Sequence, residues 1–144
     1  MIQRIQTIFL LLASAASFSL FKLPFASAGK TEMASFLSDG IFNMMDHPGF
    51  IGLFSVGGFL LLVAIFLFNN RKQQMRLTMF ATILVLLGLI LIPVLLFQAG
   101  RPVIDMLQVK AGMFLPAIAV FFGLLARRAI KKDEKLVKSM DRLR

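Results

Sequence analysis

The sequence predicts an all-α fold, an integral membrane four-helix bundle followed by a basic amphipathic helix at the C-terminus. Two long apolar runs, residues 50–68 and 77–97, contain no charged side chain. Each run is close to the roughly 20 residues that a helix needs to cross a bilayer core. The polar connector between them, residues 69–76, carries three basic side chains and is therefore expected on the cytoplasmic side.

The composition supports this class. Of the 144 residues, 58% are hydrophobic, and the mean hydropathy of +0.85 is far above that of a soluble domain. The net charge of +9 lies beside apolar runs without stacking aromatics between the basic residues, so we expect anionic lipid as a partner and no specific nucleic acid. The chain has no cysteine, which excludes disulfides and thiolate chemistry.

The first apolar run, residues 8–21, has two interpretations. With its flanking residues it forms a first span over residues 5–23. Alternatively, it is the apolar region of a secretory signal peptide, with Arg4 before it and an Ala-Ser-Ala cleavage site at residues 26–28. We expect the span to be retained, because a single basic side chain is a weak start for a signal peptide.

Residues 25–49 interrupt the apolar pattern with a proline, glycines and polar residues, which predicts an external loop. Within it, the apolar residues of positions 34–45 recur at roughly helical spacing and predict a short interfacial helix. His47 is the only histidine, and only Asp46 is adjacent to it. A metal site would lack ligands here, so we interpret His47 as a solvated loop residue.

Small residues on the first, second and fourth spans predict close helix packing, because such residues let membrane helices approach each other. We expect the first span to pack on the second. A narrow pore is the alternative, but a water path normally brings charged groups to mid-membrane, and these spans offer only hydroxyls there. The predicted packing positions are Ala13, Ala16, Ser17, Gly52, Gly57, Gly58, Ala119 and Gly123.

The third and fourth spans, residues 77–97 and 109–126, each contain a proline. Pro93 removes a helical hydrogen bond and predicts a bend, and Pro116 lies at a similar depth. Paired kinks would suit a hinge or an external cavity, but proline is also common in ordinary membrane helices, which is the interpretation we prefer. In the connector between these spans, Arg101 and Asp105 are four residues apart and can pair if the segment is helical.

The fourth span continues without a glycine or proline stop into residues 127–144, which carry a net charge of +5. Three interpretations are open: a solvated tail that fixes the topology, a helix bound to anionic lipid, and a docking helix for a cytoplasmic partner, including an anionic one such as ribosomal RNA. The predicted lipid or partner contacts are Arg127, Arg128, Lys131, Lys132, Lys135, Lys138, Arg142 and Arg144.

The charges agree with a topology in which both termini are cytoplasmic. Twelve of the sixteen basic residues then lie on the cytoplasmic side, and four of the seven acidic residues lie outside. This is the asymmetry of the positive-inside rule. The predicted organisation is a membrane domain over residues 1–126 and a basic tail over residues 127–144.

The start of the chain, MIQRIQTIFLLLA, and its end, RRAIKKDEKLVKSMDRLR, together with the four apolar runs, resemble a family of small bacterial integral membrane proteins known as domain of unknown function 4293. The resemblance spans the whole chain, and its specific parts are the two termini. It implies four membrane helices with both ends cytoplasmic, in the bacterial inner membrane. It implies no activity, ligand or functional residue.

Three classes of function are open. We rank a non-catalytic interaction or accessory subunit of a membrane complex first. A small oligomeric transporter or channel comes second, because no span contains a charge that would carry a proton or bind an ion. An enzyme comes last, since the external acids are scattered singly and offer no paired carboxylates. We therefore expect no catalytic, cofactor-binding or metal site, and the sequence leaves the oligomeric state open.

Overall fold

The computed structural model describes residues 3–27, 39–100, 104–105 and 107–141. Four helices make up most of this part: α1 (Gln3–Ser19), α2 (Pro48–Phe66), α3 (Arg71–Ala99) and α4 (Leu115–Asp141). Three helical stretches are long and apolar enough to cross a membrane: Pro48–Asn69, Arg71–Ala99 and Ala111–Val137. A shorter apolar helix covers Ile5–Ser19.

The four helices pack side by side in a closed ring that follows the chain order. The main contacts join α1 to α2, α2 to α3, α3 to α4, and α4 back to α1. Only a minority of each membrane-length stretch is buried inside the protein, with shares of 33%, 33% and 28%. The outward faces carry large apolar side chains such as Phe59, Phe80 and Phe121. An apolar surface therefore surrounds the ring.

The interior of the ring is built largely from small side chains with a few large ones. On α3, the buried positions recur every three or four residues, which is the spacing of one helical face. This face is rich in small and hydroxyl residues, whereas the rest of the helix is rich in leucine. Its members are Gln74, Thr78, Ala81, Thr82, Val85, Gly88, Ile92 and Leu95.

A small sheet closes one end of the ring. Its strands are β1 (Ala26–Ser27), β2 (Ile41–Phe42) and β3 (Gln108–Val109), in the order β2-β1-β3 with both pairs antiparallel. The sheet joins the connection after α1 to the connection before α4. We call this part of the molecule the sheet end.

Three 3₁₀ turns complete the fold: Met44–Asp46, Leu67–Asn69 and Ala111–Met113. The first of them and β2 occupy the second half of the segment in which the sequence predicted an interfacial helix over residues 34–45. That prediction is wrong for residues 41–42, because pairing with β1 and burial of Phe42 outweigh the local helical spacing. Residues 34–38 lie outside the described part.

Several helices begin or end at other residues than the predicted spans. α1 ends at Ser19, before the predicted limit at residue 23, whereas α3 begins at Arg71, because the Asn70 side chain accepts a hydrogen bond from the Gln73 N–H (3.3 Å). α4 begins at Leu115 instead of residue 109. Pro116 therefore lies in the first turn of α4, where proline disturbs no helical hydrogen bond, so the alternative of paired kinks has no support at this position.

Pro93, in contrast, lies inside α3, which is one continuous helix across this residue.

The start of α4 is held by the loop that follows α1. The Gly112 N–H donates to the Pro24 carbonyl (3.1 Å), and a Cβ on Gly112 would lie only 2.3 Å from that oxygen. The close approach of two backbones at the sheet end therefore requires glycine at this position.

Candidate functional site at the basic end

The end of the ring opposite the sheet is formed by the start of α1, the turn between α2 and α3, the start of α3 and the part of α4 near residue 133. We call it the basic end, since the described basic residues of the α2–α3 connector and of late α4 lie here. It also holds four of the buried polar side chains of the described part: Gln6, Gln74, Thr78 and Asp133.

Gln74 connects α3 to the end of α2. Its side chain is 2% exposed, and Nε2 donates a hydrogen bond to the carbonyl of Ala64 (3.0 Å). This contact fixes which way the amide points, because the opposite orientation would set two oxygen atoms against each other. The other amide atom, Oε1, is buried and has no hydrogen-bond partner among the described residues.

Arg71 connects α3 to α4. Its Nη2 lies 3.5 Å from Oδ2 of Asp133, and its Nη1 donates to the Asp133 backbone carbonyl at 3.4 Å. The two side chains are 24% and 10% exposed, so the ion pair is partly shielded from solvent. One turn earlier on α4, Ile130 is fully buried. α4 therefore still packs against the other helices at residues 130 and 133, which lie within the tail predicted from the sequence (residues 127–144).

A groove of about 520 Å³ opens beside Arg71 and Gln74. It runs between the first turns of α1 and the turn that joins α2 to α3. Its wall combines three strongly polar side chains with exposed apolar ones. The lining residues are Gln6, Thr7, Ile8, Ile65, Phe66, Phe68, Arg71 and Gln74.

Four buried side-chain atoms in the described part have no hydrogen-bond partner: Gln6 Nε2, Gln74 Oε1, Thr78 Oγ1 and Asp133 Oδ2. All four belong to the basic end. Asp133 Oδ2 still has the Arg71 guanidinium nearby, whereas the two glutamine atoms lack such a group. Buried polar atoms are paired in most proteins. Because Gln6 and Gln74 both line the groove, we take the groove as the candidate functional site.

The sequence analysis did not identify Gln6 or Gln74. A signal was present in the spacing of α3, where Gln74, Thr78, Ala81 and Val85 follow one another at intervals of three or four residues. A polar residue on the small-residue face of an apolar helix is directed inward instead of towards lipid. Because Gln74 shares the small-residue face of α3, the sequence could have predicted that its side chain lies inside the protein.

The predicted packing residues of α1 and α2 lie at the contact between these helices, with exceptions. Ala13, Ala16 and Ser17 are buried, and a Cβ on Gly58 would lie 3.0 Å from the Ser17 Cβ. Ser14, which the sequence analysis did not select, donates from Oγ to the Gly58 carbonyl (3.0 Å).

Two other glycines of α2 are placed differently. Gly57 faces α3, since a Cβ there would lie 2.8 Å from Val85 Cγ2. Gly52 is exposed with open space around it, so none of the described helices packs against it, and its role in packing stays a prediction. On α4, Ala119 is buried and Gly123 lies against Thr82 of α3, whose Oγ1 would be 2.5 Å from an added Cβ.

The predicted lipid or partner contacts form an incomplete set in the structure. Arg127 is half-buried beside an apolar cavity of about 220 Å³ between α3 and α4. Four residues are exposed on α4: Arg128, Lys131, Lys132 and Lys135. The Lys138 side chain, Arg142 and Arg144 lie outside the described part, as does Arg101, the proposed partner of Asp105.

His47 is a capping residue and not a freely solvated one. It is half-buried, and its Nδ1 accepts a hydrogen bond from the Gly49 N–H (3.0 Å) at the start of α2. Its ring meets that of Phe50 edge-on, with 5.9 Å between the ring centroids. Within the described residues, no group of three or more histidine, cysteine, aspartate or glutamate side chains could hold a metal ion.

The fold defines a helical protein with three helices long and apolar enough to cross a membrane. The chain belongs to the family described as domain of unknown function (DUF4293), whose model matches residues 2–143. This match confirms the resemblance seen at the two termini. No curated protein and no solved structure matches the chain.

Proposed function

We propose that this protein is a multi-pass protein of the bacterial inner membrane, a four-helix bundle with both termini in the cytoplasm, and that it acts as a non-catalytic accessory subunit of a membrane complex. The observation that carries the proposal is the combination of an apolar outer surface around the ring with a charged extension of α4. Partner binding is then the role of the outer face and of the exposed basic helix.

The apolar surface supports membrane insertion of the whole ring. The three longer helices expose phenylalanine, leucine and isoleucine along their length, which is unfavourable in water and favourable in lipid. α1 has 17 residues, about 25 Å of helix, and is thus slightly shorter than a bilayer core. The apolar turn that follows it, which includes Leu20 and Leu23, supplies the missing length.

The length of α4 supports a cytoplasmic basic helix. Its 27 residues correspond to about 40 Å, which exceeds the thickness of the hydrocarbon core. With its start at the sheet end, its last turns must extend past the basic end. The exposed residues there include Lys131, Lys132 and Lys135, which the positive-inside rule assigns to the cytoplasm.

The interior of the ring favours an accessory subunit over a transporter. Among the described residues, Asp133 is the only buried ionisable side chain, and it lies at the basic end instead of mid-membrane. Between the two ends the core consists of apolar and small side chains, with hydroxyls bonded within their own or a neighbouring helix, such as Ser14 and Ser17. Such an interior provides no series of charged groups for an ion to follow.

Co-purification from membranes in mild detergent tests the proposal. We expect the protein to remain in membranes after an alkaline wash and to bring down a defined partner at fixed stoichiometry. The variant Lys131→Gln/Lys132→Gln should lose the partner while inserting normally. The matched control Lys22→Gln/Lys110→Gln removes two exposed charges at the sheet end and should retain it.

Two outcomes would contradict the proposal. Recovery of the protein in the soluble fraction would exclude a multi-pass membrane protein. Recovery from membranes with copies of itself as the sole companion, unchanged by either pair of substitutions, would favour the small oligomeric transporter or channel.

A further inference from the structure

We infer that the groove at the basic end binds one anionic phospholipid whose head group carries a hydroxyl, with the phosphate on Arg71 and Gln6, the hydroxyl on Gln74 and an acyl chain along the apolar wall. This inference rests on the proposed membrane location but not on the accessory role. It concerns a site within the ring of helices, separate from the exposed lysines of α4.

The two glutamine side chains that line the groove each have a buried atom without a described partner, and these two atoms need opposite hydrogen-bond partners. Gln6 Nε2 is a donor and Gln74 Oε1 is an acceptor, and both belong to side chains at most 3% exposed that line the same groove. A phosphate oxygen accepts but does not donate, so it can satisfy Gln6 but not Gln74. A ligand that carries a phosphate and a hydroxyl satisfies both atoms.

Arg71 supplies the positive charge that an anion requires. Its contacts with Asp133 are long, at 3.4 and 3.5 Å, and use two of the five N–H groups of a guanidinium. No other described residue bonds to its remaining N–H groups, which can therefore donate to a phosphate. An arginine side chain also suits the geometry of phosphate oxygens. A zwitterionic lipid with an ammonium group is a poorer ligand, because it would bring a second cation next to Arg71 and the neighbouring Lys72.

The apolar half of the wall distinguishes a lipid from a soluble phosphate ester. Ile8 and Phe68 are each 54% exposed and Phe66 is 70% exposed, all at the groove. Gln6 lies near the start of α1 and Arg71 at the start of α3, so the polar groups lie at the ends of the helices, where lipid head groups lie. The apolar side chains of the groove then face the part of an acyl chain that is nearest to the head group.

Native mass spectrometry of the purified full-length protein provides the test, with four probes: phosphatidylglycerol, phosphatidylmethanol and phosphatidylethanolamine of identical acyl chains, and soluble glycerol phosphate. Phosphatidylmethanol keeps the anionic phosphate but has no head-group hydroxyl. We expect one phosphatidylglycerol to be retained per chain, with retention falling from this lipid to phosphatidylmethanol and then to phosphatidylethanolamine. Glycerol phosphate should not compete.

Two variants locate the site. Gln6→Glu replaces the donor by a carboxylate of similar shape and should weaken retention by about tenfold or more, because a hydrogen bond to the phosphate becomes a repulsion. Phe66→Ala shortens the apolar wall at an exposed position and should weaken it by a few-fold while the protein folds normally. The matched control Phe80→Ala, at a phenylalanine that is also exposed (57%) but lies away from the groove, should change nothing.

Several results would overturn the inference. Equal retention of all three lipids would exclude head-group recognition, and competition by glycerol phosphate would point to a soluble ligand. Loss of lipid in Lys131→Gln/Lys132→Gln together with unchanged binding in Phe66→Ala and Gln6→Glu would place the lipid on α4. None of these results depends on whether a protein partner co-purifies, so the accessory role is tested separately.

Discussion

The two ends of the helical ring are closed by different chemistry. At the sheet end, backbone hydrogen bonds and a cluster of phenylalanine rings join the connections between helices. At the basic end, polar side chains join the helices, and four of their buried atoms have no hydrogen-bond partner among the described residues. Backbone pairing thus closes one end, whereas the other end holds buried polar atoms that the described residues leave unpaired.

Phe25 is at the centre of the closed end. Its ring is fully buried. The ring centroid lies 5.3 Å from the centroids of Phe42 and Phe50 and 6.2 Å from that of Phe54. Its backbone N–H donates to the Phe42 carbonyl (2.8 Å), and its carbonyl accepts from the Lys110 N–H (3.0 Å). One residue therefore joins three segments through both its ring and its backbone.

Among the residues that the structure describes, the basic end has no comparable centre. Arg71 bonds to Asp133, Gln74 bonds to Ala64, and each contact joins only two helices. Side-chain contacts of this kind can be released without breaking a helix, since the helical backbone bonds remain in place. Ligand binding at this end is thus possible without unfolding, whereas opening the sheet end would disrupt backbone pairing.

The largest expected effect is from Phe25→Ala. Loss of the ring removes contacts with three other rings and leaves a cavity, at a cost of about 3 kcal/mol. Thermal unfolding in detergent should show a clear fall in melting temperature. The control is Phe59→Ala, because Phe59 is exposed on the outer face of α2 and its loss leaves no cavity. Equal melting of the two variants would show that the aromatic cluster does not hold the sheet end together.

A smaller effect is expected at the basic end from a double-mutant cycle on Arg71→Met and Asp133→Asn. The pair is only partly shielded and its contacts are long, so the coupling energy should be about 1 kcal/mol. High salt should reduce it. A coupling energy as large as the cost of Phe25→Ala would remove the contrast between the two ends, and a value of zero would mean that the ion pair between the two side chains does not stabilise the contact of α3 with α4.

Much of the helical part of the fold was predictable because a long apolar run satisfies one simple physical condition, the length of a bilayer crossing. The runs at residues 50–68 and 77–97 correspond to α2 and α3 within a few residues at most ends. The exception, the early start of α3, arises from the Asn70 cap and from the helix-forming residues of the connector.

The sheet end was not predictable by the same reasoning. Its strands are two residues long and pair across separations such as Ala26 to Val109, and neither segment has a pattern long enough to show alternation. The groove was missed for a related reason. Gln6 and Gln74 lie on different helices, and only the assembled ring brings the two side chains to one cavity.

The smallest effect we predict concerns Asp46 at the sheet end and sharpens the contrast through pH. Burial is the main cause that raises the pKa of Asp46 above 3.8, and the nearby Asp39 charge adds to it, while the hydrogen bond that its carboxylate accepts from the Asn43 N–H opposes both. Because the folded protein favours the protonated acid, the contribution of Asp46 to stability is greatest below its pKa in the unfolded chain. This contribution is lost as the pH rises through the raised pKa of the folded protein.

Asp46→Asn keeps an oxygen to accept the hydrogen bond from the Asn43 N–H but cannot ionise. Relative to this variant, the wild-type protein should therefore lose melting temperature as the pH rises from about 3.8 towards neutrality. Asp39→Asn removes only the neighbouring charge, so it should reduce this loss without abolishing it. A wild-type protein that instead gains stability over the variant with rising pH would show that the hydrogen bond from Asn43, and not burial, dominates the energetics of this carboxylate.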